Sequence, residues 1–240
     1  MPWTDRTTPA KRFLFYLATA GIRLVTLPLA RSLRGVERLP QGPYVVAANH
    51  RSLLDGLVLV NELNRVRGRP IHMVAYQEPF GHSLYGPLLK ITGCLPFDRG
   101  EADSRVRVLR LALGFLEAGE PVAFFPEAHL SRTSRMRRGR PGAALVALES
   151  GAPVVPVGLR GTERVLEPGT GRFRLRRAAC VHVGEPLDLS PWRAPFLHGD
   201  AHVRAQAVER ATAAIMHAIA ALSGQTYDHV HPRPKRQPRR

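Results

Sequence analysis

The segment 43-PYVVAANHRSLLD-55 places a short apolar stretch before an Asn-His pair, and a carboxylate follows the histidine by five positions. Residues 44–48 have the continuous apolar character of a buried strand. Residues 53–64, LLDGLVLVNELN, have the length and spacing of a helix. A buried strand followed by a polar turn and a helix predicts one unit of an α/β fold.

The same alternation continues along the chain. We predict further strands at 71–75, 94–97, 121–125, 153–159, 172–176 and 179–183, and further helices at 83–93, 103–119, 141–151 and 201–224. Asp103 or Ser104 is expected to cap the helix that Gly119 ends, and the prolines in 153–159 indicate an edge strand or a bend. The fold class is therefore α/β, with one domain whose mixed, largely parallel central sheet is flanked by helices.

Composition limits the possible classes of protein. The chain has 240 residues, 44% of them apolar, and a formal charge of +16, which attracts phosphates on lipids, nucleic acids or small substrates. Two cysteines lie far apart without metal-binding spacing, so we predict thiols and no metal site. We divide the chain into an N-terminal amphipathic membrane-associating segment (1–34), a catalytic domain (35–224) and a basic, disordered tail (225–240).

The N-terminal segment is apolar between residues 13 and 27 except for one polar stripe. Arg23 and Pro28 argue against a simple membrane span. A helix lying in the membrane interface fits this pattern best. A signal peptide and a helix packed on the protein's own core are the alternatives.

Three polar stretches fall where predicted strands end, at residues 49–55, 93–100 and 124–132. In open α/β sheets the carboxyl ends of the strands line the ligand crevice. The chain has no Walker A loop, no G-x-G-x-x-G after the first strand, no G-x-S-x-G elbow and no H-E-x-x-H helix. Nucleotide-binding and serine-hydrolase classes are therefore not indicated.

These stretches, with a fourth at 155–161, resemble the motifs of the glycerolipid acyltransferase family, which includes the 1-acylglycerol-3-phosphate acyltransferases. The family has N-H-x-S-x-x-D, G-x-x-x-x-D-R, F-P-E-G-T-R-S and V-P-V-x-x-x-G blocks in this order. The matching positions are His50, Ser52 and Asp55; Gly93, Asp98 and Arg99; Phe125, Pro126, Glu127 and Ser131; and Val155, Pro156, Val157 and Gly161. Four blocks in order are far more specific than one H-x-x-x-x-D pair.

The resemblance implies a role for each matched polar residue. His50 is expected to be the general base and Asp55 the carboxylate that orients it, while Arg99 holds an acceptor phosphate and Glu127 binds the acceptor. Without the resemblance, Ser52-Leu53-Leu54-Asp55 is a helix-capping pattern, and His50 is a structural histidine. The pair can form only if His50 lies outside the helix that Asp55 begins, because positions five apart within one helix face about 140° apart.

The third block departs from the family, because Ala128-His129-Leu130 replaces its Gly-Thr-Arg. The family's arginine at that point is associated with the acceptor's phosphate, and leucine cannot bind phosphate. Arg132 and Arg135, from the basic loop 128–140 in which this block ends, are candidate replacement contacts to a phosphate or headgroup. An acceptor without a glycerol phosphate is the alternative.

The sequence thus predicts an O-acyltransferase of phospholipid biosynthesis, bound peripherally or monotopically to the cytoplasmic face of a membrane. Its expected donor is acyl-CoA or acyl carrier protein, and its expected acceptor is a lysophospholipid, with 1-acylglycerol-3-phosphate as the first candidate; no cofactor and no nucleic acid is expected. An inactive lipid-binding family member and a nucleic-acid binder are the other classes, the latter suggested by charge alone.

Overall fold

The computed structural model describes residues 9–67, 70–76, 81, 85–98 and 100–228. Helices and strands alternate along them as follows: α1 (Pro9–Thr26), β1 (Ala30–Arg34), β2 (Val45–Ala48), α2 (Asp55–Arg67), β3 (His72–Tyr76), α3 (Tyr85–Ile91), β4 (Leu95–Phe97), α4 (Ala102–Glu117), β5 (Val122–Phe124), α5 (Gly142–Ser150), β6 (Val154–Arg160), α6 (Thr162–Val165), β7 (Ala179–Val183), α7 (Ser190–His198) and α8 (Ala201–Ser223).

The described strands form one sheet in the order β1-β7-β6-β2-β5-β3-β4. Only β6 and β7 pair antiparallel; the other neighbours are parallel. The prediction of a mixed, largely parallel sheet is confirmed. The carboxyl ends of β2, β3, β4, β5 and β6 consequently meet at one edge of the sheet.

Both faces of the sheet are buried, which explains the continuous apolar sequence of β2. Val45 and Ala47 contribute to a core with α4, α5, α7 and α8, whereas Val46 and Ala48 contribute to a second core with α2. Successive strand residues point to opposite faces, so a strand between two helical layers needs apolar residues at every position.

Helix ends follow local chemistry at several points. Asp200 caps α8 by accepting hydrogen bonds from His202 N and Val203 N, and Gly224 ends that helix with φ 66°. At α4 the expected cap is wrong, because the helix begins at Ala102 and Ser104 Oγ instead accepts from Asp98 N. The sequence pattern located α4 but not its cap, because the Ser104 hydroxyl bonds to the residue that follows β4.

Three further expectations differ from the structure. Residues 172–176 form no strand; Phe173 makes a single bridge to Leu166. β6 is an interior strand, and Pro156 fits there because its pairing with β7 begins only at Val157. Residues 225–228 do not leave the fold: Thr226 exchanges backbone hydrogen bonds with Ser134 and Met136. The rest of the predicted tail, residues 229–240, lies outside the described residues.

The N-terminal helix α1 packs against α2 and α3 through one side. Ile22 and Thr26 are buried there, and Asn61 Nδ2 donates to Thr26 Oγ1 at 2.9 Å. The opposite side is apolar yet exposed, with Phe13 at 69% and Leu24 at 77% of full exposure. Among the helices that the structure describes, none has both the length and the apolar content needed to cross a membrane.

Candidate active site

His50 and Asp55 meet where β2 gives way to α2. His50 lies in the turn before the helix, Asp55 is the first residue of α2, and His50 Nδ1 is 3.0 Å from Asp55 Oδ2. The carboxylate is fully buried, whereas the imidazole is 19% exposed. An ionised carboxylate only accepts hydrogen bonds, so this geometry suits the tautomer in which Nδ1 carries the proton and Nε2 keeps a lone pair. The predicted geometry, with His50 outside the helix that Asp55 begins, is confirmed.

The same carboxylate also ties off the helix. Asp55 Oδ2 accepts from Arg51 N at 2.6 Å and from Ser52 N at 2.7 Å, while Ser52 Oγ accepts from Leu54 N at 3.3 Å. This is the reciprocal pattern of a capping box. The two interpretations of Asp55 therefore do not exclude each other, because one oxygen fixes the turn and holds the histidine.

Thr162 is a partner of Asp55 that sequence reasoning missed. Its hydroxyl donates to the second carboxylate oxygen, Oδ1, at 2.5 Å, and both side chains are fully buried. Thr162 follows β6, which lies beside β2 in the sheet. In the sequence, the only signal for Thr162 was its position directly after the fourth block. The sheet order explains its contact with Asp55, because it places the end of β6 beside the end of β2.

Residues after β5 hold His50 from the other side. The Phe125 ring stacks on the imidazole, with ring centroids 4.2 Å apart and an interplanar angle of 18°. Glu127 Oε1 accepts from His50 N at 3.0 Å, and Glu127 Oε2 accepts from Arg137 N at 2.8 Å. Its carboxylate thereby joins the turn that carries His50 (residues 49–54, the histidine turn) to the basic loop. Burial raises the pKa of Glu127, and the hydrogen bonds from Arg137 and His50 oppose that shift in part.

Asn49, the first residue of the N-H-x-S-x-x-D block, fixes the end of β2 to its neighbours. Its Nδ2 donates to Leu159 O at 2.9 Å and to Gln225 Oε1 at 2.8 Å, and its Oδ1 accepts from Leu159 N at 2.7 Å. The buried amide uses both donors and its acceptor, so it positions the following histidine without facing the crevice.

The second block lies farther along the same edge. Asp98 follows β4, and both β3 and β5 separate that strand from β2. Three strand spacings amount to about 14 Å, so Asp98 does not contact the histidine pair. Asp98 Oδ1 accepts from Gly100 N at 2.7 Å. Arg99, the predicted phosphate contact, lies outside the described residues.

The basic loop 128–140 closes against the histidine turn. Ser131 N donates to His50 O at 2.7 Å. Arg132 is exposed and its guanidinium packs against Gly169, while Arg135 Nη1 lies 3.9 Å from Asp228 Oδ2. Ala128, which replaces the family's glycine, has φ 57°, in the left-handed region that favours glycine. An alanine at this position therefore holds a backbone conformation that costs less with glycine.

The site combines a largely parallel sheet with a histidine–aspartate pair at the carboxyl ends of its strands, where α/β proteins bind their ligands. A family model named Acyltransferase matches residues 31–160, more than half of the chain, so the chain belongs to the acyltransferase family.

Curated relatives carry a more specific name. The chain is 28% identical over 163 residues to a chloroplastic 1-acyl-sn-glycerol-3-phosphate acyltransferase of Arabidopsis thaliana, covering 67% of this chain and 44% of the relative. A Chlamydomonas reinhardtii protein of the same name is 32% identical over 137 residues, covering 56% and 40%. The chain spans less than half the length of these two relatives.

Among solved structures, the 1-acyl-sn-glycerophosphate (LPA) acyltransferase from Thermotoga maritima superposes with a TM-score of 0.59 at 21% identity. The match covers 89% of this chain and 82% of that chain. This similarity shows a shared fold.

Proposed function

We propose that this protein transfers a fatty acyl group from a thioester to the free hydroxyl of a lysophospholipid, 1-acylglycerol-3-phosphate being the preferred acceptor. The observation that carries the proposal is the His50–Asp55 pair at the carboxyl end of β2, inside the matched family segment. The names of the curated relatives support this acceptor.

In the proposed mechanism His50 is the general base. Nε2 removes the proton of the acceptor hydroxyl as its oxygen attacks the thioester carbonyl, and Asp55 stabilises the resulting imidazolium through Nδ1–H. The tetrahedral intermediate then collapses by breaking the C–S bond, and the thiolate takes the proton back from Nε2. Among the described residues Nε2 has no hydrogen-bond partner, which leaves it available for this transfer.

Glu127 acts as a positioning residue in this proposal. Only 1% of it is exposed, and each of its oxygens accepts a backbone N–H, which supports a role in joining two loops. A direct contact between Glu127 and the acceptor stays a prediction. The catalytic step needs no cofactor, because acyl-CoA or acyl carrier protein supplies the activated acyl group.

The proposed site of action is the surface of a membrane, reached from the cytoplasmic face by a peripherally or monotopically bound protein. The exposed apolar side of α1 supports this, since Phe13, Leu17 and Leu24 present a contiguous stripe away from the core. Such a stripe gains free energy when it enters the interface between headgroups and acyl chains.

The headgroup of the acceptor is expected to be bound by cationic side chains. Arg99, Arg132 and Arg135 are the cations proposed to bind a phosphate. Leu130, at the place of the family's arginine, favours a second candidate: the same chemistry on a lipid that lacks the glycerol phosphate.

A panel experiment separates these acceptors. Purified protein receives labelled acyl-CoA with 1-acylglycerol-3-phosphate, other lysophospholipids, or unphosphorylated monoacylglycerol. Transfer to 1-acylglycerol-3-phosphate alone is the expected result. Transfer only to unphosphorylated acceptors would establish the second candidate, and no transfer to any of them would refute acyltransferase activity on these lipids.

A further inference from the structure

A basic hairpin projects beside the candidate active site. We call residues 166–177, LEPGTGRFRLRR, the arginine hairpin. It follows α6, whose first residue, Thr162, binds Asp55. The segment from Pro168 to Gly184 contains no acidic residue.

Hydrogen bonds across its base hold the hairpin in one conformation. Glu167 N donates to Arg172 O at 3.1 Å, and Arg174 N donates to Val165 O at 2.7 Å. Gly169 and Gly171 provide the turn, with φ of 97° and 67°. The hairpin is therefore an ordered part of the fold.

Its surface combines exposed apolar and cationic side chains. Phe173 is 54% and Leu175 is 74% exposed, alternating with exposed arginines at 172, 174 and 176. These three arginines form no ion pair with any residue that the structure describes. Large exposed apolar residues are unfavourable in water, so their placement among unpaired cations indicates a partner that is both apolar and anionic.

The hairpin connects the histidine turn to the start of β1, four residues after α1 ends. Ser52 Oγ donates to Leu166 O at 2.9 Å at one end, and Arg177 Nε donates to Ala30 O at 2.8 Å at the other. Leu53, in the histidine turn, is 70% exposed, and Leu27, directly after α1, is 54% exposed. The histidine turn and the hairpin, which both carry exposed apolar residues, thus touch each other, and the hairpin also touches the strand that follows α1.

We propose that the arginine hairpin is a second membrane-docking element, which binds the surface of a bilayer rich in anionic phospholipid. Its arginines bind lipid phosphates while Phe173 and Leu175 enter the interface. Together with α1, the hairpin fixes the orientation of the protein, so that the turn carrying His50 faces the lipid surface. The inference deepens the proposed function and rests on it for the membrane as the place of reaction.

Vesicle binding tests the hairpin separately from catalysis. The full chain is co-sedimented with vesicles of phosphatidylcholine, alone or mixed with phosphatidylglycerol. The variant is Arg172→Gln/Arg174→Gln/Arg176→Gln, and the matched control is Arg105→Gln/Arg110→Gln/Arg210→Gln, which removes the same charge from exposed positions on α4 and α8. These two helices pack on the face of the sheet opposite to α2.

The hairpin variant is expected to bind mixed vesicles about 100-fold more weakly, because each arginine near an anionic surface contributes about a fivefold gain in affinity. The control is expected to bind like wild type. A second variant, Phe173→Ser/Leu175→Ser, is expected to weaken binding to both kinds of vesicle, which identifies insertion of the apolar residues.

Binding to a single-stranded RNA is measured in parallel. Three results would overturn the inference: hairpin variants that bind vesicles like wild type, a control that loses as much affinity for vesicles as the triple variant, or a triple variant that keeps its affinity for vesicles and loses affinity for the RNA. Unfolding midpoints confirm that each variant is folded. Transfer to a soluble short-chain acceptor, measured in parallel, distinguishes failure of the hairpin from failure of the acyltransferase proposal, because only the latter abolishes transfer by wild type.

Discussion

The substitution Asp55→Asn separates the two tasks that the structure assigns to one carboxylate. In the wild type, Oδ2 accepts from His50 Nδ1, Arg51 N and Ser52 N, and Oδ1 accepts from Thr162 Oγ1. An asparagine with its oxygen toward the turn keeps the first three bonds. Its amide can donate to Thr162 Oγ1, since a hydroxyl both donates and accepts.

The expected effect on stability is consequently small. The four hydrogen bonds become weaker because their partner is no longer charged, but the folded protein also no longer has to bury a charge. The two effects oppose each other. We expect the free energy of unfolding to change by no more than about 1.5 kcal/mol. The rate is expected to fall by about 100-fold or more, because a neutral amide cannot stabilise the imidazolium that forms when His50 takes a proton.

Two assays on the same samples measure these quantities: urea unfolding, and transfer of labelled acyl groups from acyl-CoA to 1-acylglycerol-3-phosphate. Ser52→Ala is the control, because it removes a capping hydroxyl without changing the charge beside His50. It should cost about 1 kcal/mol of stability and reduce the rate much less than Asp55→Asn. An Asp55→Asn protein that loses stability but transfers acyl groups like wild type would show that Asp55 only caps the helix.

Three further predictions concern the loop after β5. Ala128→Gly should raise the free energy of unfolding by about 1 kcal/mol in a urea titration, since it relieves a left-handed residue with φ 57°, whereas an unchanged or lower value would contradict the strain. Burial raises the pKa of Glu127 above its ordinary value of 4.5, so the unfolded chain releases this proton at a lower pH than the folded protein does. The free energy of unfolding of the wild type, relative to that of Glu127→Gln, should therefore fall as pH rises above 4.5. A difference between the two proteins that does not vary with pH would contradict this. Leu130→Arg should lower KM for 1-acylglycerol-3-phosphate by about tenfold through a new contact between guanidinium and phosphate, with Leu130→Met as the control, and equal KM values for the two would argue against a phosphate at this position.

The sequence predicts the elements whose pattern is strong and local. β2 is uninterrupted apolar sequence because both of its faces are buried, and α8 ends at Gly224, which adopts the left-handed conformation. The placement of His50 before α2 was also predictable, since capping chemistry at Ser52 fixes where the helix can begin.

Features that depend on sheet order could not be predicted. Thr162 reaches Asp55 only because β6 lies beside β2, and Gln225 reaches Asn49 across most of the chain. The contacts of the Glu127 oxygens with backbone N–H groups of two separate loops were likewise not predictable, whereas its contact with the acceptor stays a prediction. The alternating sequence after Arg172 resembled a strand, although no neighbouring strand in the described sheet pairs with it.

The central claim is that His50 removes the acceptor's proton, and one measurement tests it most directly. Wild type and His50→Ala, matched for unfolding midpoint, are given labelled acyl-CoA and 1-acylglycerol-3-phosphate. We predict transfer by wild type and a loss of at least about 100-fold in the variant. Undiminished transfer by folded His50→Ala would contradict the account.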